Sequence, residues 1–325
     1  MQAFILSDLH PDTWFSYANK PSKLRGDEVK EDVVFNTMEY LWQYFNYPDT
    51  DAIVVAGDVA NDWLTYTRAV KWLSNKYKEV YMCLGNHDIL VRGGTPSRSN
   101  LQFKTSEEKI AAIQDFCNKL GNVHLLEGRM LDNVAGCMGM CDFKVEPYAY
   151  GHNKKVIWKR EWFDGEHWRY FKQNPDKIWE HYDKMMTELV AKQPKIMMTH
   201  FTPIEVGINF EYRLSTLNTY FYFEGQKVLD MFDHDAIWVC GHVHHKKICT
   251  YVNPKGKMIT ILCNPNGYPG EHNIYADTMS IIDGDEKRGS RPTKYEDFII
   301  EIYTRKYVPS SNIKVWHAWL REALP

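Results

Sequence analysis

Asp51-Ala52-Ile53-Val54-Val55-Ala56-Gly57-Asp58-Val59-Ala60-Asn61 is the stretch that sets the architecture. The unbroken run Ile53-Val54-Val55-Ala56, three of its members β-branched, predicts a strand covered on both faces. Gly57 ends the run and leaves Asp58 at the strand's carboxyl end, where open α/β sheets bind their ligands. Read alone, a Gly-Asp pair there is a capped turn. It gains meaning because other predicted strands end in the same kind of residue.

Outward from that stretch the pattern repeats. Ala3–Ser7 reads as a strand and runs into Asp8-Leu9-His10; Val80–Leu84 runs into Gly85-Asn86-His87-Asp88. Lys195–Thr199 ends in His200, and Ala236–Cys240 ends in Gly241-His242-Val243-His244-His245. Asp8 and His10, and likewise His242 and His244, are two apart, so in extended backbone their side chains leave on one face. Helices are predicted at 28–47, 64–78, 106–119 (with Ser106 as cap), 160–192 and 225–233, from apolar residues at helical spacing. Further strands are expected at 123–126, 134–140 and 298–303, with a hairpin pairing 250–252 and 258–262. His124, among apolar neighbours, reads as a core or edge histidine.

Four segments leave from these strand ends. Residues 11–27 and 91–105 read as loops, the second carrying Arg92 and Arg98. Residues 142–180, rich in Trp and Tyr, read as a packed insertion or lid, and 204–225 as a second insertion carrying Arg213. The arginines are candidate phosphate contacts or solvated loop charges. One domain is expected over 1–307, followed by an appendage at 308–325.

Composition narrows the classes. With 325 residues, 44% of them apolar, the chain can bury a large core. A net charge of −3 gives no basic stripe for extended nucleic acid. No apolar run approaches the roughly 20 residues that span a bilayer. Seven scattered cysteines, several inside apolar runs, fit reduced thiols and a cytoplasmic location. Cys137 and Cys141 have no second Cys or His pair beside them to complete a zinc site.

The strand ends together offer carboxylates, one amide and several imidazoles, a set that suits manganese, iron or zinc. Seven donors exceed one tetrahedral ion and fit two ions about 3.5–4 Å apart sharing a carboxylate. Asp8-Leu9-His10, Gly57-Asp58 with Asn61, Gly85-Asn86-His87-Asp88, His200 and Gly241-His242-Val243-His244, in that order, resemble the successive motifs of the calcineurin-like metallophosphoesterase superfamily. The resemblance covers residues 5–245 and implies an α/β fold, an αββα sandwich of two mixed sheets between helices. It implies that Asp8, His10 and His244 hold one metal, that Asn86, His200 and His242 hold the other, and that Asp58 bridges them. His87 would stand unliganded beside the phosphate, donating a proton to the leaving oxygen or stabilising its charge, with Asp88 orienting it or capping the turn. The expected cofactors are two divalent ions, manganese first and iron or zinc as alternatives. The expected substrate is a small phosphorylated molecule, nucleotides included, attacked in line by a bridging hydroxide. A nuclease and a non-catalytic scaffold of the same fold are the rivals. The family often has Asp three residues after the bridging Asp; this chain has Asn61, an amide that can orient His87 but supports its cation less well.

Overall fold

The computed structural model describes residues 1–24, 29–91, 98–144, 154–205, 217–271 and 299–301. The run around Val54 becomes strand β2 (Ala52–Ala56), buried at every position. It lies between β1 (Gln2–Leu6) and β3 (Glu79–Cys83), parallel to both, and β4 (Val123–Leu125) continues the parallel set. A three-residue strand, Ile299–Glu301, adds antiparallel to the free edge of β1, where the closing strand is expected.

The second sheet holds six strands. Its parallel centre is β6 (Val134–Cys137), β7 (Ile196–Thr199), β8 (Ala236–Cys240) and β10 (Met258–Cys263). The antiparallel edges are β5 (Arg129–Leu131) and β9 (Lys247–Val252). Strand β3 packs on β6 and β7, so the two sheets face each other. Helices α3 (Trp63–Lys76) and α4 (Ser106–Leu120) lie on the first sheet, and α7 (Pro175–Val190) on the second. This is the expected four-layer sandwich.

Sequence patterns explain most elements. In α2 (Glu31–Phe45), Val34, Met38, Leu41, Trp42 and Phe45 fall on one face and are buried, and the helix ends with Asn46 at φ 50°. Burying one such side chain contributes about 1.5–3 kcal/mol. Helix α4 is capped by Thr105, whose hydroxyl accepts from the Glu108 amide; Ser106, the expected cap, instead accepts at its hydroxyl from the Arg169 amide.

Two features bear on function. Residues 11–18, read as loop, are helix α1 (Pro11–Ala18), because Pro11 occupies the first turn and tolerates it. Trp14 is buried there, donating to the Gly267 carbonyl, so it packs rather than reaching toward ligand. The aromatic insertion forms α5 (Lys154–Glu161) and α6 (Phe163–His167), with Trp158 and Trp168 fully buried. Gly165 permits that pair, since a Cβ there would meet the Trp158 carbonyl. The expected appendage at 308–325 lies outside the described residues, as do 206–216 of the insertion at 204–225 and the loop tips at 92–97 and 145–153. No helix among the described residues is long and apolar enough to cross a membrane.

Candidate metal centre

Five strands deliver their carboxyl ends to the seam between the sheets: β1, β2 and β3 from one, β7 and β8 from the other. The segment after β10 ties the seam, with Asn266 donating its amide to Ser7 and Gly267 to Asp8. The donors do not lie in extended backbone as the two-apart spacing suggests. Asp8, His10, Asp58, His242 and His244 all adopt left-handed φ, at 52°, 41°, 56°, 69° and 44°. Each such residue costs about 1–3 kcal/mol and persists only where surrounding contacts fix it, a pattern that gathers at functional sites. Gly85 must be glycine, because a Cβ there would sit 2.1 Å from Asp58 Oδ1.

The side chains converge lone pair to lone pair. His200 directs Nδ1 at the Ala56 carbonyl at 2.8 Å, which makes Nδ1 the donor. Its bare Nε2 then faces Asn86 Oδ1 at 2.8 Å and Asp58 Oδ2 at 3.2 Å. His242 donates from Nε2 to the Tyr220 carbonyl, leaving Nδ1 toward the same Asn86 oxygen at 3.1 Å. His244 turns Nδ1 to Glu271 at 2.8 Å and Nε2 to Asp8 Oδ1 at 3.2 Å. Among the described residues, neither ring nitrogen of the buried His10 has a hydrogen-bond partner, and Nε2 lies 3.5 Å from Asp58 Oδ2. Acceptors meeting acceptors need positive charge between them. Asp8, His10, Asp58 and His244 alone bring four ligand atoms within 4.8 Å of one another. These residues fit divalent cations.

The electrostatics carry the same message. Burial opposes ionisation of Asp8, but His244 and His200 outweigh it and hold the carboxyl down to about 2. Burial likewise opposes charge on His200 and His244, yet the adjoining carboxylates push them up to about 9 and about 10. Burial leaves His10 and His87 neutral, and His242 is driven down to about 3. In the metal-free site, protons on His200 and His244 therefore supply the charge that cations would.

His87 sits at the rim with Nε2 4.0 Å from Asp58 Oδ2, and its backbone amide donates to Asp58 Oδ1 at 2.8 Å. Its Nδ1 pairs with Asn61 Oδ1, and Phe163 stacks on the ring at 5.0 Å. Asp88 does not orient His87. Its carboxyl accepts from the amides of Asp58, Val59, Ala60 and Gly85, the turn-capping alternative, and so clamps the β2 and β3 ends together. Burial and the nearby Asp58 push that carboxyl up to about 7. Arg92 and Arg213 lie outside the described residues; Arg98 opens a short 3-10 turn, Arg98–Gln102, and its side chain is outside them too. His124 is paired with Glu79 at 2.6 Å on edge strand β4 and takes no part.

Sequence reading missed the supporting shell. Asp164, from α6, accepts from Asn86 Nδ2 at 2.8 Å and so points Asn86 Oδ1 at the histidines. Trp168 donates to the Asn86 carbonyl. Lys109 is fully buried, donating to the Asn61 and Leu90 carbonyls, each at 3.0 Å. Asp164 and Glu271 are single acids far from any motif, and nothing in their spacing marks them.

A family model described as calcineurin-like phosphoesterase matches residues 1–246. The crystal structure of phosphopantetheinyl hydrolase from Mycobacterium tuberculosis superposes with a TM-score of 0.61 at 14% identity, covering 95% of this chain and 98% of that one. A dimetal phosphatase from Danio rerio aligns at 12% identity over 81% of this chain and 87% of that one, with a TM-score of 0.31. No curated protein matches the chain in sequence. The family match spans the five strands whose carboxyl ends form the seam, so the chain belongs to the calcineurin-like phosphoesterases and is a hydrolase of phosphoric ester bonds.

Proposed function

We propose that this chain hydrolyses a small phosphomonoester or phosphodiester at a centre of two divalent cations, manganese first and iron or zinc as alternatives. The observation that carries the reading is the meeting of bare imidazole nitrogens with carboxylate and amide oxygens around Asp58. Asp8, His10 and His244 would hold one cation, Asn86, His200 and His242 the other, and Asp58 stands between the sets. When bound, such a pair lowers the pKa of water toward about 7 and draws charge from phosphate oxygens.

This chain's own residues do the rest. Glu271 and the Ala56 and Tyr220 carbonyls fix three imidazoles in the tautomers that present lone pairs. Asp164 keeps the Asn86 oxygen inward. His87 holds Nε2 toward the centre and can take a proton there. A net charge of −3 favours a small phosphorylated substrate, nucleotides among them, over polymeric nucleic acid. The free thiols, six of seven buried, agree with a reducing, cytoplasmic setting.

The direct test is turnover of aryl mono- and diesters, nucleotides and a phosphopantetheinyl ester with manganese present. A protein that binds two ions and turns over none of them would be a scaffold. Metal loading has its own signature. His200 and His244 carry protons at pH 7 that ligation must displace, so binding releases up to about two protons per chain. Affinity should climb with pH from about 7 to about 10, less steeply above about 9 where His200 has lost its proton, and level off beyond, as those protons leave unaided. Calorimetry in buffers of differing ionisation enthalpy reads the proton count; a count near zero at pH 7 would contradict the arrangement.

A further inference from the structure

An asparagine beside a catalytic histidine poses a problem that an aspartate does not. Both oxygens of a carboxylate accept, so an Asp can only receive a proton from the ring. The two ends of an amide have the same shape and opposite hydrogen-bonding sense. If Asn61 presents Oδ1, His87 must carry its proton on Nδ1 and leave Nε2 bare. If it presents Nδ2, the ring must accept at Nδ1 and carry the proton on Nε2, facing the centre. Catalysis depends on which end is turned inward, so something must hold it.

The backbone at this position is held from two other residues as well as by a backbone contact to the Asp12 carboxyl. Asn100 Nδ2 and Lys109 Nζ both donate to the Asn61 carbonyl, at 2.9 and 3.0 Å. These contacts set where residue 61 stands and leave the side-chain amide free to turn. Among the described residues the side chain has one further hydrogen bond, Asn61 Nδ2 to Asp12 Oδ2 at 2.7 Å. Asp12 comes from the first turn of α1, two residues after His10, and its contact spans 49 positions of sequence.

We propose that Asp12 is a positioning residue that sets the direction of the Asn61 amide and, through it, the tautomer of His87. Its oxygen takes the Nδ2 hydrogen, which turns Oδ1 to His87 and confines the ring proton to Nδ1. The chain thus spreads over Asp12, Asn61 and His87 what one carboxylate could do beside the ring. The effect on turnover rests on the function proposed above; the effect on the tautomer does not.

The experiment uses the full chain labelled with 15N-histidine and loaded with zinc, which is diamagnetic. Wild-type His87 should show a protonated Nδ1 and an unprotonated Nε2. In Asp12→Ala, and in the volume-matched Asp12→Leu, a large share of the ring should move to the Nε2-protonated form. In both variants kcat should fall roughly 10–100-fold with KM and metal content unchanged, less than loss of the ring itself. Adding Asn61→Asp to either variant should return the proton to Nδ1 and restore kcat, whether or not Nε2 is also protonated, because a carboxylate at 61 can only accept from the ring and needs no partner to fix its sense. An unaltered 15N pattern in folded Asp12→Ala or Asp12→Leu overturns the proposal. So does a tautomer change that Asn61→Asp fails to reverse. If no phosphoester is turned over at all, the proposed function falls while the 15N result still decides this inference.

Discussion

Asp58→Asn is expected to yield protein that folds but holds neither ion, with turnover down by more than about 10³-fold. One oxygen, Oδ2, lies 3.2 Å from His200 Nε2, 3.5 Å from His10 Nε2 and 4.0 Å from His87 Nε2, so it faces imidazoles from both sheets. The other, Oδ1, accepts the His87 amide at 2.8 Å. An asparagine has the same outline but one wrong end. Turned one way, its NH₂ opposes the His87 N–H and forces two donors together. Turned the other way, it puts hydrogens where the cations need a lone pair. It also removes the negative charge that, against burial, raises His200. Elemental analysis of the purified variant reads the result, and two ions per chain in Asp58→Asn would remove Asp58 from the centre of the argument.

The convergence of these donors was legible in the sequence because the fold exposes them to a simple rule. Parallel strands buried on both faces give continuous apolar runs, and whatever follows each run lies at one edge of the sheet. Runs ending at Ala56, Leu84, Thr199 and Cys240 therefore located Asp58, Asn86, His200 and His242 without any contact being known. The same rule says nothing about side-chain direction. Spacing of two in extended backbone promised a shared face for Asp8 and His10, whereas both leave the strand in left-handed turns. Strand β5 escaped notice because Arg129-Met130-Leu131 is too short to show alternation. Helix α1 was hidden by the Pro, Asn and Lys around it, and Asp12 with it. Asp164 and Glu271 act only through contacts between segments, 78 and 27 residues from their partners. That information lies in the packing of the insertions, which no local pattern encodes.

His87→Ala should keep both ions and still lose about 10²–10⁴ in kcat, or roughly 2.7–5.5 kcal/mol of transition-state stabilisation. Metal retention follows because the contact from residue 87 to Asp58 Oδ1 is made by the backbone amide, which alanine keeps. The ring contributes something separable: Nδ1 tied to Asn61, a face stacked on Phe163, and Nε2 turned toward Asp58. Burial lowers its affinity for a second proton, and an amide neighbour offers only a dipole to a cation where a carboxylate would offer full charge. The ring thus enters the reaction with Nε2 bare, ready to take a proton; delivering one to the leaving oxygen would first require that cation. The loss in His87→Ala should therefore be similar for aryl esters of low leaving-group pKa and alkyl esters of high pKa. A loss that grows steadily with leaving-group pKa would mean that the ring arrives protonated and acts as the acid. Asn61→Asp should push the enzyme in that second direction, since a carboxylate on Nδ1 makes the doubly protonated ring easier to hold.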